Sequence, residues 1–138
     1  MILMIDDEKA IISGIFDYFE SKANNNPKYE PVHYYDSVEA LQFLQENIDK
    51  IDLIIIDIAM EYGDGKYYEE YGGIILLKKI SQMRLKIPVI ILSVVGKDVV
   101  ESQYGSSLEI NVKHINRKTN NYAEILYGMV KETLEVKK

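Results

Sequence analysis

Three short apolar stretches, rich in β-branched residues, define the framework of this chain. They lie at Ile2–Ile5, Leu53–Ile56 and Val89–Leu92. Each stretch is continuous rather than alternating, which is typical of strands that are buried on both faces of a parallel sheet. Two weaker stretches, Val32–Tyr35 and Ile110–Ile115, predict two further strands. The chain therefore has five predicted strands.

Amphipathic helical patterns separate these strands. Apolar residues recur at helical spacing in residues 11–19, 38–48, 74–83 and 120–136, and a thinner stripe covers residues 96–106. Asp36 and Ser37 are good N-cap residues for the second helix. The third helix should end before Ile87-Pro88, because the residue before a proline disfavours the helical conformation. Five strands alternating with five helices predict a doubly wound α/β fold, which forms a single domain over residues 1–138.

Composition excludes several classes of protein. The chain has no cysteine, which rules out a disulfide scaffold, thiol catalysis and a thiolate zinc site. No apolar run approaches the ~20 residues of a membrane span, and no signal-peptide pattern is present, so we expect a cytoplasmic protein without a membrane partner. The net charge of −6 would repel the phosphate backbone, so we expect no direct nucleic-acid binding by this domain.

Acidic side chains follow two of the predicted strands. Asp6-Asp7-Glu8 comes after the first strand and Asp57 after the third. Ligand sites in open α/β sheets lie beyond the carboxyl ends of the strands. If these two strands are neighbours, Asp6, Asp7 and Asp57 converge, and a divalent cation would relieve their repulsion. All-oxygen ligation suits Mg²⁺, with Mn²⁺ as the alternative. The simpler interpretation is that the acids only cap the following helices, which fits Asp7 and Glu8 better than Asp57.

A hydroxyl and a lysine lie at the ends of the last two predicted strands. Ser93 ends the fourth strand, and Lys118 lies in Arg117-Lys118-Thr119 beyond the fifth, from where a lysine could reach back to neutralise an anion. The net charge of the chain is also unevenly distributed: residues 1–70 carry a net charge of −11, and residues 71–138 carry a net charge of +5. We interpret the two halves as two sides of one crevice rather than as a charged tail and its partner.

In combination, these residues resemble the receiver domain of two-component response regulators. The resemblance covers essentially the whole chain and rests on the following positions: Asp6-Asp7, Ser37–Leu41, Asp57, Met60, Asp64-Gly65, Ser93 and Lys118. It implies a flavodoxin-like (βα)5 domain whose five-stranded parallel sheet has the strand order 2-1-3-4-5.

The resemblance also implies a chemistry for these residues. Asp57 would be the nucleophile that takes a phosphoryl group from a phosphohistidine. Mg²⁺ would be held by Asp6, Asp7 and Asp57 and by the backbone carbonyl of Ala59. Ser93 and Lys118 would contact phosphoryl oxygens, although the generous spacing after Ser93 leaves Lys113 as a rival for the lysine position. The resemblance further implies that the chain is not an enzyme for another molecule and catalyses only its own phosphorylation and dephosphorylation.

Partners follow from the same resemblance. The phosphoryl donor would be a sensor histidine kinase or a histidine phosphotransfer protein. The phosphorylated chain would act on an output domain or effector protein that the sequence does not identify. A homodimer through the fourth and fifth strand–helix region is a further expectation. The alternative function is a receiver-like interaction module that is never phosphorylated and serves only as a docking surface.

Several positions depart from the family pattern. Glu61 and Thr119 stand where prolines are usual, and Val94 stands where a small residue is usual. Ile115, three residues before Lys118, replaces the usual aromatic residue. About eight residues, 66–73, look like an insertion with three tyrosines beside the crevice. We favour a solvated loop extension for this insertion over an ordered lid or partner contact.

Overall fold

In the part of the chain that the structure describes, five strands and five α-helices alternate along the sequence. The computed structural model describes residues 1–24, 26–104 and 112–136. The strands are β1 (Ile2–Ile5), β2 (Pro31–Tyr34), β3 (Leu53–Ile56), β4 (Val89–Ser93) and β5 (Val112–Asn116). The helices are α1 (Lys9–Ala23), α2 (Ser37–Glu46), α3 (Gly72–Gln82), α4 (Lys97–Tyr104) and α5 (Tyr122–Val136). Two short 3₁₀ turns precede β2 and β3.

All five strands lie in one parallel sheet with the order β2-β1-β3-β4-β5. This confirms the predicted fold class and strand order. From β1 the chain moves towards one edge of the sheet to form β2. It then crosses back to β3 and continues through β4 and β5 towards the other edge. The strand order therefore changes between β1 and β3, where ligand crevices form in sheets of this kind. In the register of this pair, Ile5 lies opposite Ile56, so that both strands end at the same level.

The sheet is covered on both faces. Leu3 and Ile54 belong to the core on one face, together with residues of α2, α3 and α4. Ile2 and Ile55 belong to the core on the other face, together with residues of α1 and α5. All four positions of β1 and of β3 are buried. This double coverage explains why the central strands have continuous rather than alternating apolar sequences.

The weaker predicted elements differ from the structure at their ends. Strand β2 begins at Pro31, one residue before the predicted start, which is compatible with proline because β2 is an edge strand and Pro31 is its first residue. Helix α3 begins at Gly72, inside the segment interpreted as an insertion. Ile110, part of the predicted fifth strand, lies outside the described residues. Within the described ranges, no helix is long and apolar enough to cross a membrane.

Candidate metal centre

The acidic residues after β1 and β3 meet at the carboxyl edge of the sheet. Backbone hydrogen bonds continue the parallel ladder one step beyond both strands, because the N–H of Asp6 donates to Tyr34 O and the N–H of Asp57 donates to Ile5 O. One carboxylate oxygen from each of Asp6, Asp7 and Asp57 lies within 4.8 Å of the other two. Asp6 and Asp57 are each 1% exposed, whereas Asp7 lies exposed at the rim. The structure therefore brings the three predicted acids together.

The two oxygens of Asp57 have different surroundings. Oδ1 accepts a hydrogen bond of 3.1 Å from the N–H of Ala59. Oδ2 is buried and has no hydrogen-bond partner among the described residues. A buried carboxylate oxygen is costly to leave without a partner. This oxygen is therefore the feature of the site that most strongly calls for a further group, such as a metal ion or a phosphoryl group.

Burial and crowding of the acids change their protonation. The pKa of Asp6 is raised to about 7, mainly because the carboxyl group is buried; the charge of Asp57 acts in the same direction, while the Glu8 N–H and Arg117 lower this pKa. Burial also raises the pKa of Asp7, again with a contribution from the charge of Asp57. The site carries more negative charge than its surroundings stabilise.

Asparagine at position 6 should change the pH dependence of stability. The unfolded chain releases the Asp6 proton near 3.8 and the folded chain near 7, so between these values the folded state binds more protons. The stabilising contribution of protonated Asp6 is therefore lost as the pH rises through 7. In urea unfolding with a chelator present, Asp6→Asn should be more stable than the parent chain at about pH 8, and this advantage should shrink towards about pH 5. An advantage that is the same at both pH values would contradict the assignment.

Arg117 is a site residue that the sequence reasoning did not single out. It follows β5 directly, and its N–H donates to Ser93 O, which continues the β4–β5 ladder. Its Nη1 lies 3.2 Å from Asp6 Oδ2 and 3.7 Å from Asp57 Oδ2, and its Nη2 lies 2.8 Å from Glu8 Oε1. No signal in the sequence separates it from Lys118, because the two residues are adjacent and both are basic.

Lys118, the predicted site lysine, is exposed. Its backbone N–H donates to Asn116 Oδ1, and in the described part of the chain its ammonium group has no hydrogen bond or ion pair. The rival residue, Lys113, is also exposed. The cation that the structure brings to the acids is therefore Arg117, and the role of Lys118 stays a prediction.

Ser93 and its neighbours lie at the end of β4. Ser93 is fully buried, and its Oγ accepts a hydrogen bond of 3.2 Å from the N–H of Val95. Val94 is partly exposed and Ile115 is buried. The ring of His114 lies within hydrogen-bonding distance (3.2 Å) of Val95 O, so an imidazole contacts the loop that follows Ser93.

The loop between β3 and α3 forms one wall of the site and is attached to its surroundings. Ser37 connects it to α2, since its hydroxyl donates to Glu61 O and accepts from the Gly63 N–H. Further along, Glu70 pairs with Lys78 of α3 and the Tyr71 N–H donates to Gln103 of α4. Tyr67, in contrast, is 88% exposed. The tyrosine-rich segment thus has anchored ends and a solvated tip.

The donor set fits a hard divalent cation. The three acids supply only oxygen atoms, they lie close enough to share one ion, and one of the buried oxygens lacks a hydrogen bond. Oxygen ligands and partial exposure at Asp7 suit Mg²⁺, which keeps several water ligands in most protein sites. The backbone carbonyl of Ala59 follows Asp57 by two residues and would be a further ligand.

Comparison with known proteins agrees with this geometry. The family model of the response regulator receiver domain matches residues 2–118. A search of curated proteins found no match. Among solved structures, the Francisella response regulator 1452 receiver domain is 24% identical with a TM-score of 0.67, and the alignment covers 99% of this chain and 98% of that one. A receiver domain protein from Clostridium thermocellum is 22% identical with a TM-score of 0.64, covering 99% and 94%.

A response regulator receiver protein from Pseudoalteromonas atlantica is similar at 15% identity with a TM-score of 0.67, covering 99% of this chain and 98% of that one. These identities show a shared fold, and the family model adds a match over most of the sequence. The chain belongs to the response regulator receiver domain family of two-component systems.

Proposed function

We propose that this chain accepts a phosphoryl group on Asp57 from a histidine kinase or a histidine phosphotransfer protein. The observation that carries the proposal is the buried Oδ2 of Asp57, which has no hydrogen bond among the described residues and lies beside Asp6 and Asp7. A carboxylate that only capped a helix would direct its oxygens at backbone N–H groups. Asp57 does this with Oδ1 alone.

The transfer forms one bond and breaks another. Asp57 Oδ2 attacks the phosphorus atom, an O–P bond forms, and the P–N bond to the donor imidazole breaks with its electron pair leaving on the ring nitrogen. The Ala59 N–H holds Oδ1 and thereby orients the carboxylate. Bound Mg²⁺ would supply positive charge that offsets the acids and the phosphoryl oxygens. Hydrolysis of the O–P bond by water would reverse the modification, so this chain would catalyse reactions only on itself.

Ser93 and Lys118 are proposed to contact the phosphoryl group. Ser93 supports this role because it is buried at the end of the neighbouring strand, and its hydroxyl, which accepts from the Val95 N–H, donates to no other described residue and could donate to an incoming oxygen. Lys118 is one residue beyond Arg117 and would need to turn towards the crevice. Phosphorylation would change the charge at Asp57, and a new contact with Ser93 could then shift the conformation of the β4–α4 loop. In this way a local modification would alter the surface that this loop helps to form.

The altered surface would be read by a partner. We propose that β4, β5 and the helices that follow them form the surface that an output domain, an effector or a second copy of the chain recognises. The link between site and surface is short, because Ser93 O accepts from the Arg117 N–H and Val95 O lies beside the His114 ring. These contacts connect the ends of both strands.

A small phosphodonor tests the proposal without the cognate kinase. Incubation with acetyl phosphate and Mg²⁺ should add one phosphoryl group to the intact mass, and excess chelator should prevent the addition because the acids would then lack their counter-ion. The aspartyl phosphate should be lost on mild alkaline treatment. No mass gain, together with no detectable binding of Mg²⁺, would overturn the proposal and favour the unphosphorylated docking module.

A further inference from the structure

A cavity of about 180 Å³ lies where the second half of α1 meets the 3₁₀ turn that precedes β2. Five residues supply its apolar and aromatic lining: Phe16, Phe19, Ala23, Tyr29 and Pro31. Because Pro31 is the first residue of β2, the cavity lies at the amino edge of the sheet, opposite to the acid cluster. A cavity of roughly 150 Å³ is large enough for a benzene molecule, so this one can take a ligand that contains a single ring.

The aromatic rings of the lining are held by neighbouring rings. Phe19 and Tyr29 are buried, and their ring centroids lie 5.2 Å and 5.8 Å from that of Tyr127 in α5. The ring of Phe16 meets that of His33 at a centroid distance of 4.9 Å, in an edge-to-face arrangement. These contacts restrict the rings, so the walls of the cavity are largely formed before a ligand arrives. A preformed site loses less conformational entropy when the ligand binds.

Two acidic residues, Glu20 and Glu30, also line the cavity. Both are exposed, and within the described ranges neither side chain makes a hydrogen bond or an ion pair. The described lining contains no lysine, arginine or histidine. The negative charge at this cavity is therefore balanced by no basic residue of its lining, and it favours a positively charged ligand over an anion.

A positive group already lies over one of the rings. The ammonium nitrogen of Lys28 is 5.5 Å from the centroid of the Tyr29 ring, within the roughly 6 Å at which an aromatic face attracts a cation. Lys28 is exposed and is not among the residues that line the cavity. A cation inside the cavity would meet aromatic rings of the same kind, together with the two glutamates. A neutral molecule would gain the apolar contacts alone.

We propose that this cavity binds a small organic ammonium ion, with its hydrocarbon part against the three aromatic rings and its charged group towards the two glutamates. The site is separate from phosphoryl transfer, because the cavity shares no residue with the cluster of Asp6, Asp7 and Asp57. A bound ligand would bridge α1 and the turn before β2. It would therefore add a small-molecule input at the end of the domain that faces away from the acids.

Three probes of similar shape and different charge test the proposal on the unaltered chain. Benzylammonium, benzyl alcohol and benzoate are titrated separately, and the backbone amides are followed by ¹H–¹⁵N NMR. Benzylammonium should shift the amides of Phe16, Phe19, Ala23 and Tyr29 to saturation, with a Kd of about 1 mM, as expected for so small a ligand. Benzyl alcohol should bind at least about threefold more weakly because it lacks the ionic attraction. Benzoate should cause no saturable shift.

A double variant and a matched control test the role of the two glutamates. Glu20→Gln/Glu30→Gln should bind benzylammonium about tenfold more weakly than the parent chain, since each exposed ionic contact contributes roughly threefold. Asp17→Asn/Glu39→Gln removes the same charge from exposed positions that do not line the cavity. This control should change the affinity by less than about twofold, because solvent and salt screen these more distant charges.

The proposal is overturned by any of four results. Benzylammonium could give no saturable shifts up to about 20 mM, well above the expected Kd, or the shifts could map to another part of the chain. Benzyl alcohol could bind as tightly as benzylammonium, which would show that charge is not recognised. Finally, the two double variants could weaken binding equally, which would show a general effect of net charge. If a double variant fails to fold, the three probes on the parent chain decide alone.

Discussion

Replacing Asp57 with asparagine is expected to abolish the mass gain from acetyl phosphate completely. An amide cannot serve as the nucleophile, because its nitrogen lone pair is delocalised and its oxygen carries no full charge. Oδ1 of the asparagine can still accept the Ala59 N–H bond, so the loop geometry is expected to persist. Intact-mass measurement before and after incubation with Mg²⁺ and acetyl phosphate is the test.

The control for Asp57→Asn is Asp64→Asn. Asp64 lies in the loop that follows β3, is exposed, and bonds to the Tyr68 hydroxyl and the Lys66 N–H rather than to the acid cluster. Its replacement should leave the mass gain intact. Phosphorylation of Asp57→Asn to the level of the parent chain would place the modification on another residue and contradict the assignment.

Loss of folding will not account for the expected inactivity of Asp57→Asn. The substitution removes a negative charge from a buried cluster, where Oδ2 has no hydrogen bond among the described residues. Breaking up such a cluster relieves repulsion between the carboxylates that remain. We therefore expect the metal-free variant to be at least as stable as the parent chain in urea unfolding, and a large loss of stability would show that Asp57 has a structural role.

Alanine at Gly73 is expected to destabilise the chain by about 3 kcal/mol, because a buried backbone contact leaves no room for a methyl group. A Cβ at this position would lie 2.4 Å from Asp57 O and 2.4 Å from Ile58 Cα. Both are backbone atoms of the segment that carries Asp57. That segment is also bonded to α3, since the Gly73 N–H donates to Ile58 O. The loss of stability is measured as the change in the free energy of unfolding, from urea titrations followed by circular dichroism.

Gly14→Ala is the matched control for Gly73→Ala. Gly14 lies inside α1, and a Cβ there would meet no atom within 4 Å. Alanine is a better helix former than glycine, so this variant should gain about 0.5–1 kcal/mol. If both variants changed stability by the same small amount, the close approach of α3 to the Asp57 segment would not be a constraint on the fold.

The central elements could be predicted from the sequence because their signals are local. Strands β1, β3 and β4 have continuous β-branched runs that follow from burial on both faces. The edge strands β2 and β5 have weaker signals, and the predicted start of β2 was one residue late. At α3, helical spacing marked the body of the helix from Ile74 onwards, but Gly72 and Gly73 were assigned to the insertion although the helix begins at Gly72. Both glycines are required by close backbone atoms of the preceding loop, since Gly73 lies against Asp57 and Ile58 and Gly72 lies against the backbone of residues 60–62.

Convergence of the three acids could also be predicted. Asp6, Asp7 and Asp57 each follow a strand, and parallel strands place their carboxyl ends at one edge of the sheet. The prediction needed only the adjacency of β1 and β3, which the structure confirms. The division of charge between the two halves of the chain has a physical counterpart as well, because Arg117 of the basic half contacts Asp6 and Glu8 of the acidic half.

The identity of the cation at this edge depended on three-dimensional contacts. Arg117 and Lys118 are adjacent, both are basic, and a short motif after a strand does not say which of them turns inwards. The choice follows from the ladder bond between the Arg117 N–H and Ser93 O, and from acids more than a hundred positions earlier in the chain. Local patterns thus define which segments become strands and where their acids lie. Which side chain neutralises those acids is settled only when strands β1, β3, β4 and β5 are assembled in register, because the guanidinium contacts acids that follow both β1 and β3.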